Sequence, residues 1–173
     1  MDRLINKIHI YRNSANLYET DITNVVNAML ELAEKTWING YSVKDEIIMA
    51  SLGGIVPQFL RLKKADKAIF QDETPIIRIS QDRDDKYEIP VLVIECKTET
   101  HLHKQGYEKC VRQLAKYVVA GEFPTGMLIT EQRAKVFQLN EAGLGMAPRQ
   151  NLGWDYPELT TDLPELVEFI RGL

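Results

Sequence analysis

The run Pro90-Val91-Leu92-Val93-Ile94-Glu95-Cys96-Lys97 limits this chain more than any other stretch. Its apolar, β-branched character predicts a buried strand, and it ends abruptly in an acid and a base two residues apart. Side chains alternate along a strand, so Glu95 and Lys97 share one face while Cys96 points to the other. Ionised groups are costly to bring toward a core unless something pairs with them. A carboxylate at this position therefore invites a cation or a metal. A salt bridge or open solvent at the strand exit would satisfy both groups equally well.

At 173 residues, with 45% apolar and 27% charged content, the chain fits a single domain with a proper core. No apolar run approaches a membrane span, and the start has no signal-peptide core after its charges, so the expected location is cytoplasmic, away from membranes. Cys96 and Cys110 lack C-x-x-C spacing and are expected to be reduced packing residues. The net charge of −4 argues against coating nucleic acid by bulk electrostatics. Its distribution is more telling. From residue 138 onward six acids stand against two bases, which accounts for the whole excess. The balanced remainder clusters its bases as Arg61, Lys63, Lys64 and Lys67, then Lys97, Lys104, Lys109, Arg112 and Lys116. A local basic surface and a solvated helix face are both compatible with that pattern.

Taken in order, residues 1 to 20 read as polar and irregular, with Ile8 and Ile10 flanking His9 as a short strand. From Asp21, a good N-cap, the spacing of Ile22, Val25, Val26, Met29 and Leu30 predicts a core helix that Asn39-Gly40 stops. A second helix is expected from the capping box Ser42-Val43-Lys44-Asp45, with Glu46 in its first turn and Gly53-Gly54 as its end. Phe59 to Leu62, Ala65 to Phe70 and Pro75 to Ile79 read as strands, and 80 to 86 as a turn leading to the strand at 88 to 96. Residues 98 to 103 form a polar loop whose His101 and His103 are expected to be solvated. A helix over 104 to 120 follows, with Tyr107, Val111, Leu114 and Val118 on its buried face and Gly106, Cys110, Gln113 and Tyr117 on the adjacent stripe. Two strands, 126 to 130 and 134 to 139, and a short helix from Asp162 complete the chain. The expected fold class is α/β, a mixed sheet with helices against it. Residues 1–41 form an N-terminal extension and helix, 42–139 the core, and 140–173 an acidic tail with the terminal helix.

Metal-assisted phosphodiester hydrolysis needs carboxylates to hold the ion, a positive group to orient or deprotonate water or neutralise charge, and a groove for the substrate backbone. Asp66 at one strand start and Glu95 at a neighbouring strand end suit one Mg²⁺, with Lys97 beside them and the Cys96 carbonyl as a further oxygen ligand. Asp66, Glu95-Cys96-Lys97 and Gln113-Leu114-Ala115-Lys116-Tyr117 together resemble the PD-(D/E)xK nuclease superfamily. More narrowly, Ala65 to Phe70, Val93 to Lys97, Gln113-x-x-x-Tyr117 and Gly126 to Thr130 resemble the N-terminal endonuclease domain of type I restriction enzyme R subunits, over residues 42 to 139.

The resemblance implies a restriction-endonuclease-like mixed β-sheet flanked by helices. It implies a magnesium- or manganese-dependent deoxyribonuclease, in which Asp66 and Glu95 bind metal, Lys97 is catalytic, and Gln113 and Tyr117 act near the DNA. A Glu on the preceding helix also contributes in that family, and Glu46 is the residue expected to carry that role. Partners would be DNA and the modification and specificity subunits of a restriction complex. Ala65 replaces the usual Pro before the acid, and the long gap from Asp66 to Glu95 is attributed to an inserted hairpin around 72 to 88. The rival Asp84-Asp85-Lys86 is rejected because no buried strand leads into it. No Walker sequence is present, so no ATP site is expected in this chain. The competing readings are a nuclease-fold module that binds nucleic acid or a protein without cleaving, and an unrelated α/β interaction domain.

Overall fold

A computed structural model describes residues 1–48, 64–72, 88–139, 146–148 and 153–173. Two helices, α1 (Asp2–Arg12) and α2 (Glu19–Leu32), lead through a 3₁₀ turn (Trp37–Asn39) into three strands, β1 (Tyr41–Ile48), β2 (Lys64–Asp72) and β3 (Glu88–Cys96). Then come α3 (Glu99–Gln105), α4 (Tyr107–Ala120), β4 (Thr125–Ile129), β5 (Ala134–Leu139), β6 (Met146–Pro148) and α5 (Leu159–Arg171). The six strands lie side by side in chain order. All neighbours are antiparallel except β3 and β4, which run parallel because α3 and α4 carry the chain between them. This is the mixed α/β sheet flanked by helices expected from the strand and helix order. No described helix is long and apolar enough to cross a membrane.

Alternation along β3 splits the core into two layers. Leu92, Ile94 and Cys96 join Ile8, Ile22, Val26, Met29, Leu163, Leu166 and Ile170 under α1, α2 and α5. Val93 faces the other way, with Ala68, Phe70, Leu128 and Phe137, against Leu114, Tyr117 and Val118 of α4. Both cysteines are free and buried.

Several local expectations are corrected. Residues 2 to 12 are helical, because Leu4 and Ile8, four apart, share the buried face, whereas Ile10 is 64% exposed. The core helix α2 begins at Glu19, and Asp21 serves it from the third position by accepting the Tyr18 N–H at 3.0 Å. The helix expected from Ser42 is strand β1, paired with β2 from Tyr41 opposite Gln71 to Ile48 opposite Lys64. There, pairing with a sheet edge overrides a local capping signal.

The polar loop expected at 98 to 103 is mostly helix, capped by the Thr98 hydroxyl, which accepts the His101 N–H at 3.1 Å. Gly106, at φ +84°, separates α3 from α4. The buried face of α4 is Cys110, Leu114, Tyr117 and Val118, leaving Tyr107 exposed and Val111 half-buried. Helix α5 starts at Leu159, so Pro164 lies inside it. The strands expected at 59 to 62 and 75 to 79, the turn at 80 to 86, the Gly53-Gly54 helix end and most of the hairpin at 72 to 88 lie outside the described residues.

The parallel β3–β4 pair fits under α4 only because Gly126 has no side chain. A Cβ there would lie 2.6 Å from Val118 Cγ2 and 3.3 Å from Leu114 Cγ. Gly126→Ala should therefore destabilise the protein by about 1–3 kcal/mol through overpacking. In urea denaturation, Gly126→Ala combined with Val118→Ala should be more stable than the sum of the two single effects, since the smaller residue removes the clash.

Candidate active site

The register of β2 and β3 brings the first two acids together. Lys67 pairs with Ile94, so Asp66 and Glu95, one residue further along each strand, meet across the gap on the α4 side of the sheet. Asp66 is fastened there by its Oδ2, which accepts the Cys96 N–H at 2.7 Å. Glu95 is almost wholly buried, at 1% exposure. Its Oε1 accepts the Gln113 amide at 2.7 Å and contacts Lys97 Nζ at 2.8 Å. Its Oε2 is buried with no hydrogen-bond partner among the described residues, which is an unusual state for a carboxylate oxygen.

Helix α4 supplies the clamp on this carboxylate. Gln113 and Tyr117, one turn apart, sit on the same flank, and Gln113 Nε2 also donates to Tyr117 Oη at 2.8 Å. The phenol in turn donates to the Lys64 carbonyl at 2.8 Å, tying α4 to the start of β2. Tyr117 is thus a fully buried residue of the site. Burial, and after it the charge of Glu95, pushes its hydroxyl above the ordinary phenol range.

Lys97 is the centre of the cluster. Besides Glu95, its ammonium contacts the Cys96 carbonyl at 3.0 Å, Glu19 Oε2 at 3.3 Å and Asp66 Oδ2 at 3.9 Å. Burial alone would push this amine toward neutrality, but the carboxylates of Glu95, Asp66 and Glu19 outweigh it and hold the lysine charged. Burial raises the Asp66 pKa against the pull of Lys97 and the Cys96 amide. Glu95 is raised further, to about 7, by burial first and the charge of Asp66 second.

Asp66, Glu95, Lys97, Gln113, Tyr117 and the Cys96 carbonyl therefore meet in one place. The Cys96 thiol packs in the apolar layer on the other side of the sheet. Glu46 is not on a helix. It stands on β1, exposed and paired with Lys64 at 2.8 Å. Asp45 pairs with Lys67 and Ile47 with Ala65, so Glu46 lies opposite Asp66. Its charge is a minor contribution to the raised Asp66 pKa.

Sequence reasoning missed Glu19. This acid opens α2 and reaches the end of β3, where Oε2 meets Lys97 and Oε1 lies 2.5 Å from His101 Nδ1. Taking Asp21 as the N-cap hid it, because Glu19 then fell before the helix and not in its first turn. Beside His101 opens a polar hollow of about 340 Å³, lined by Ser14, Leu17, Thr98, Lys104 and Gln105 among others.

Among the described residues no three His, Cys, Asp or Glu side chains are arranged to hold a metal ion. The donors that surround Lys97 are nevertheless all oxygens: two strand carboxylates, one helix carboxylate and a carbonyl. With the unpartnered Glu95 Oε2, this set fits a hard divalent cation such as Mg²⁺ or Mn²⁺.

Because the folded protein keeps the Glu95 proton up to about pH 7 while an ordinary glutamate releases it near 4.5, metal-free stability falls as pH rises between those values. Glu95→Gln removes this penalty and keeps the contact with Gln113. With divalent cations chelated, the variant should gain up to about 3 kcal/mol over the unmodified protein at pH 8 and lose that advantage near pH 4.5, as read by thermal melts. Compared with known proteins, the chain matches no family model, no curated protein and no solved structure, so the reading of this site rests on its own geometry.

Proposed function

We propose that this chain is a metal-dependent nuclease that hydrolyses DNA phosphodiester bonds, as the cleavage domain of a type I restriction R subunit or as a stand-alone relative. One observation carries the reading: two acids from adjacent strands and the ammonium of Lys97 converge at the end of a buried strand, with Glu95 held by Gln113. A purely structural ion pair has no need of the third acid or of the unpartnered Glu95 oxygen.

Asp66, Glu95 and the Cys96 carbonyl would hold Mg²⁺ or Mn²⁺, with Glu19 as a further acid. The bound cation would supply Lewis-acid polarisation of the scissile phosphate and a more acidic water. The chain's own groups do the rest. Gln113 fixes the Glu95 carboxylate, and Tyr117 fixes Gln113. Lys97, held protonated by its carboxylate neighbours, acts as the positive group that orients water and offsets negative charge on the phosphate. That state disfavours it as the base. In a restriction complex, sequence choice would come from the modification and specificity subunits.

A plasmid-nicking assay with Mg²⁺ or Mn²⁺ tests the reading. The unmodified protein should nick and lose activity with a chelator. Asp66→Asn, Glu95→Gln and Lys97→Met should each lower the rate by about 100-fold or more. Glu19→Gln should cost about 10-fold or more, as for an acid that supports the metal ligands. DNA binding without any nicking by the unmodified protein would replace this reading with the non-cleaving module.

A further inference from the structure

On α4, Lys109, Arg112 and Lys116 are all exposed. At 3.6 residues per turn they form one stripe along the helix, with Lys109 about 40°, Lys116 about 60° and Arg112 about 100° around the axis from Gln113. Gln113 is the residue whose amide holds Glu95. Glu108 falls on the opposite side of the stripe from Gln113. Lys109 and Arg112 have no ion-pair partner among the described residues.

A cationic stripe alone is an ordinary solvated face. Its phase on the helix distinguishes this one: the Lys109 edge of the stripe borders the flank that closes the carboxylate site, in a chain of net charge −4. We infer that the Lys109–Arg112–Lys116 stripe is a rail for the DNA backbone, holding phosphates of the strand whose neighbouring phosphate reaches Asp66 and Glu95. From Lys109 to Lys116 the helix rises about 10 Å. That length matches on the order of three successive phosphates of one strand. The inference rests on the nuclease reading and adds to it where the substrate lies.

Fluorescence anisotropy of a labelled DNA duplex, titrated with protein over a range of salt concentrations and with divalent cations chelated so that nothing is cut, tests the rail. The paired substitution Lys109→Gln with Arg112→Gln should weaken binding several-fold or more. It should also reduce the slope of log affinity against log salt by about 0.9 for each phosphate contact removed. Lys7→Gln, on α1, should leave the slope unchanged. Both substituted side chains are exposed, and a thermal melt matching the parent verifies the fold. An unaltered slope in the paired variant, or nicking with Mg²⁺ by a protein that shows no chelated binding, overturns the rail and leaves the nuclease reading standing. Neither binding nor nicking by the unmodified protein overturns both.

Discussion

The site depends on one buried positive charge. Removing an acid such as Glu95 from water is unfavourable unless a partner replaces the lost solvation. Lys97 is that partner, and it serves Glu95, Asp66 and Glu19 together. The compensation is incomplete for Glu95, because burial and Asp66 still leave its pKa near 7. For Lys97 the balance goes the other way, with the acids prevailing over burial. Three carboxylates therefore face one ammonium, and the surplus shows as the raised pKa of Glu95. A closed salt bridge would have matched its charges one for one.

The rest of the fold serves this arrangement. Antiparallel pairing of β2 and β3 puts Asp66 beside Glu95, while the parallel step to β4 needs a crossover long enough to contain α4. That helix must come close to the sheet for Gln113 to reach Glu95, and Gly126 permits the approach. On the other face, α2 buries Ile22, Val25 and Val26, and so anchors Glu19 at the end of the same strand. Two layers that share no apolar cluster thereby contribute to one polar site.

Much of this was legible in the residues because the signals were strong and local. The run from Val91 to Ile94 has no competing helical reading, and its alternation placed Glu95 and Lys97 together. The spacing of Gln113 and Tyr117 put them on one flank of α4. What failed was either nonlocal or a matter of boundaries. Ser42 to Asp45 carries a genuine capping pattern, and only β2 alongside makes it a strand. Glu19 was lost to a helix N-cap placed three residues late, at Asp21 instead of Tyr18, and His101 to a loop that is a capped helix. No pattern within the stretch announces that a side chain on α2 will reach β3, since that contact spans 78 residues.

Glu46 illustrates the difference between a wrong element and a wrong neighbourhood. The helix that was to carry it does not exist, yet β1 brings it opposite Asp66 on the adjoining strand. Its backbone there has φ +46°, in the left-handed region that a glutamate adopts at a cost. Asp45 and Ile47 pair regularly on either side, so the ladder breaks at this one residue. Strain of this kind costs on the order of 1–3 kcal/mol and persists only where the surroundings impose it. Here the surroundings are the edge of an acid-rich site. A regular strand would leave residue 46 with the same neighbour but another direction for its side chain. The irregularity therefore sets where one more carboxylate stands relative to Asp66, and it ties the break in the β1 ladder to the acid cluster at the end of β3.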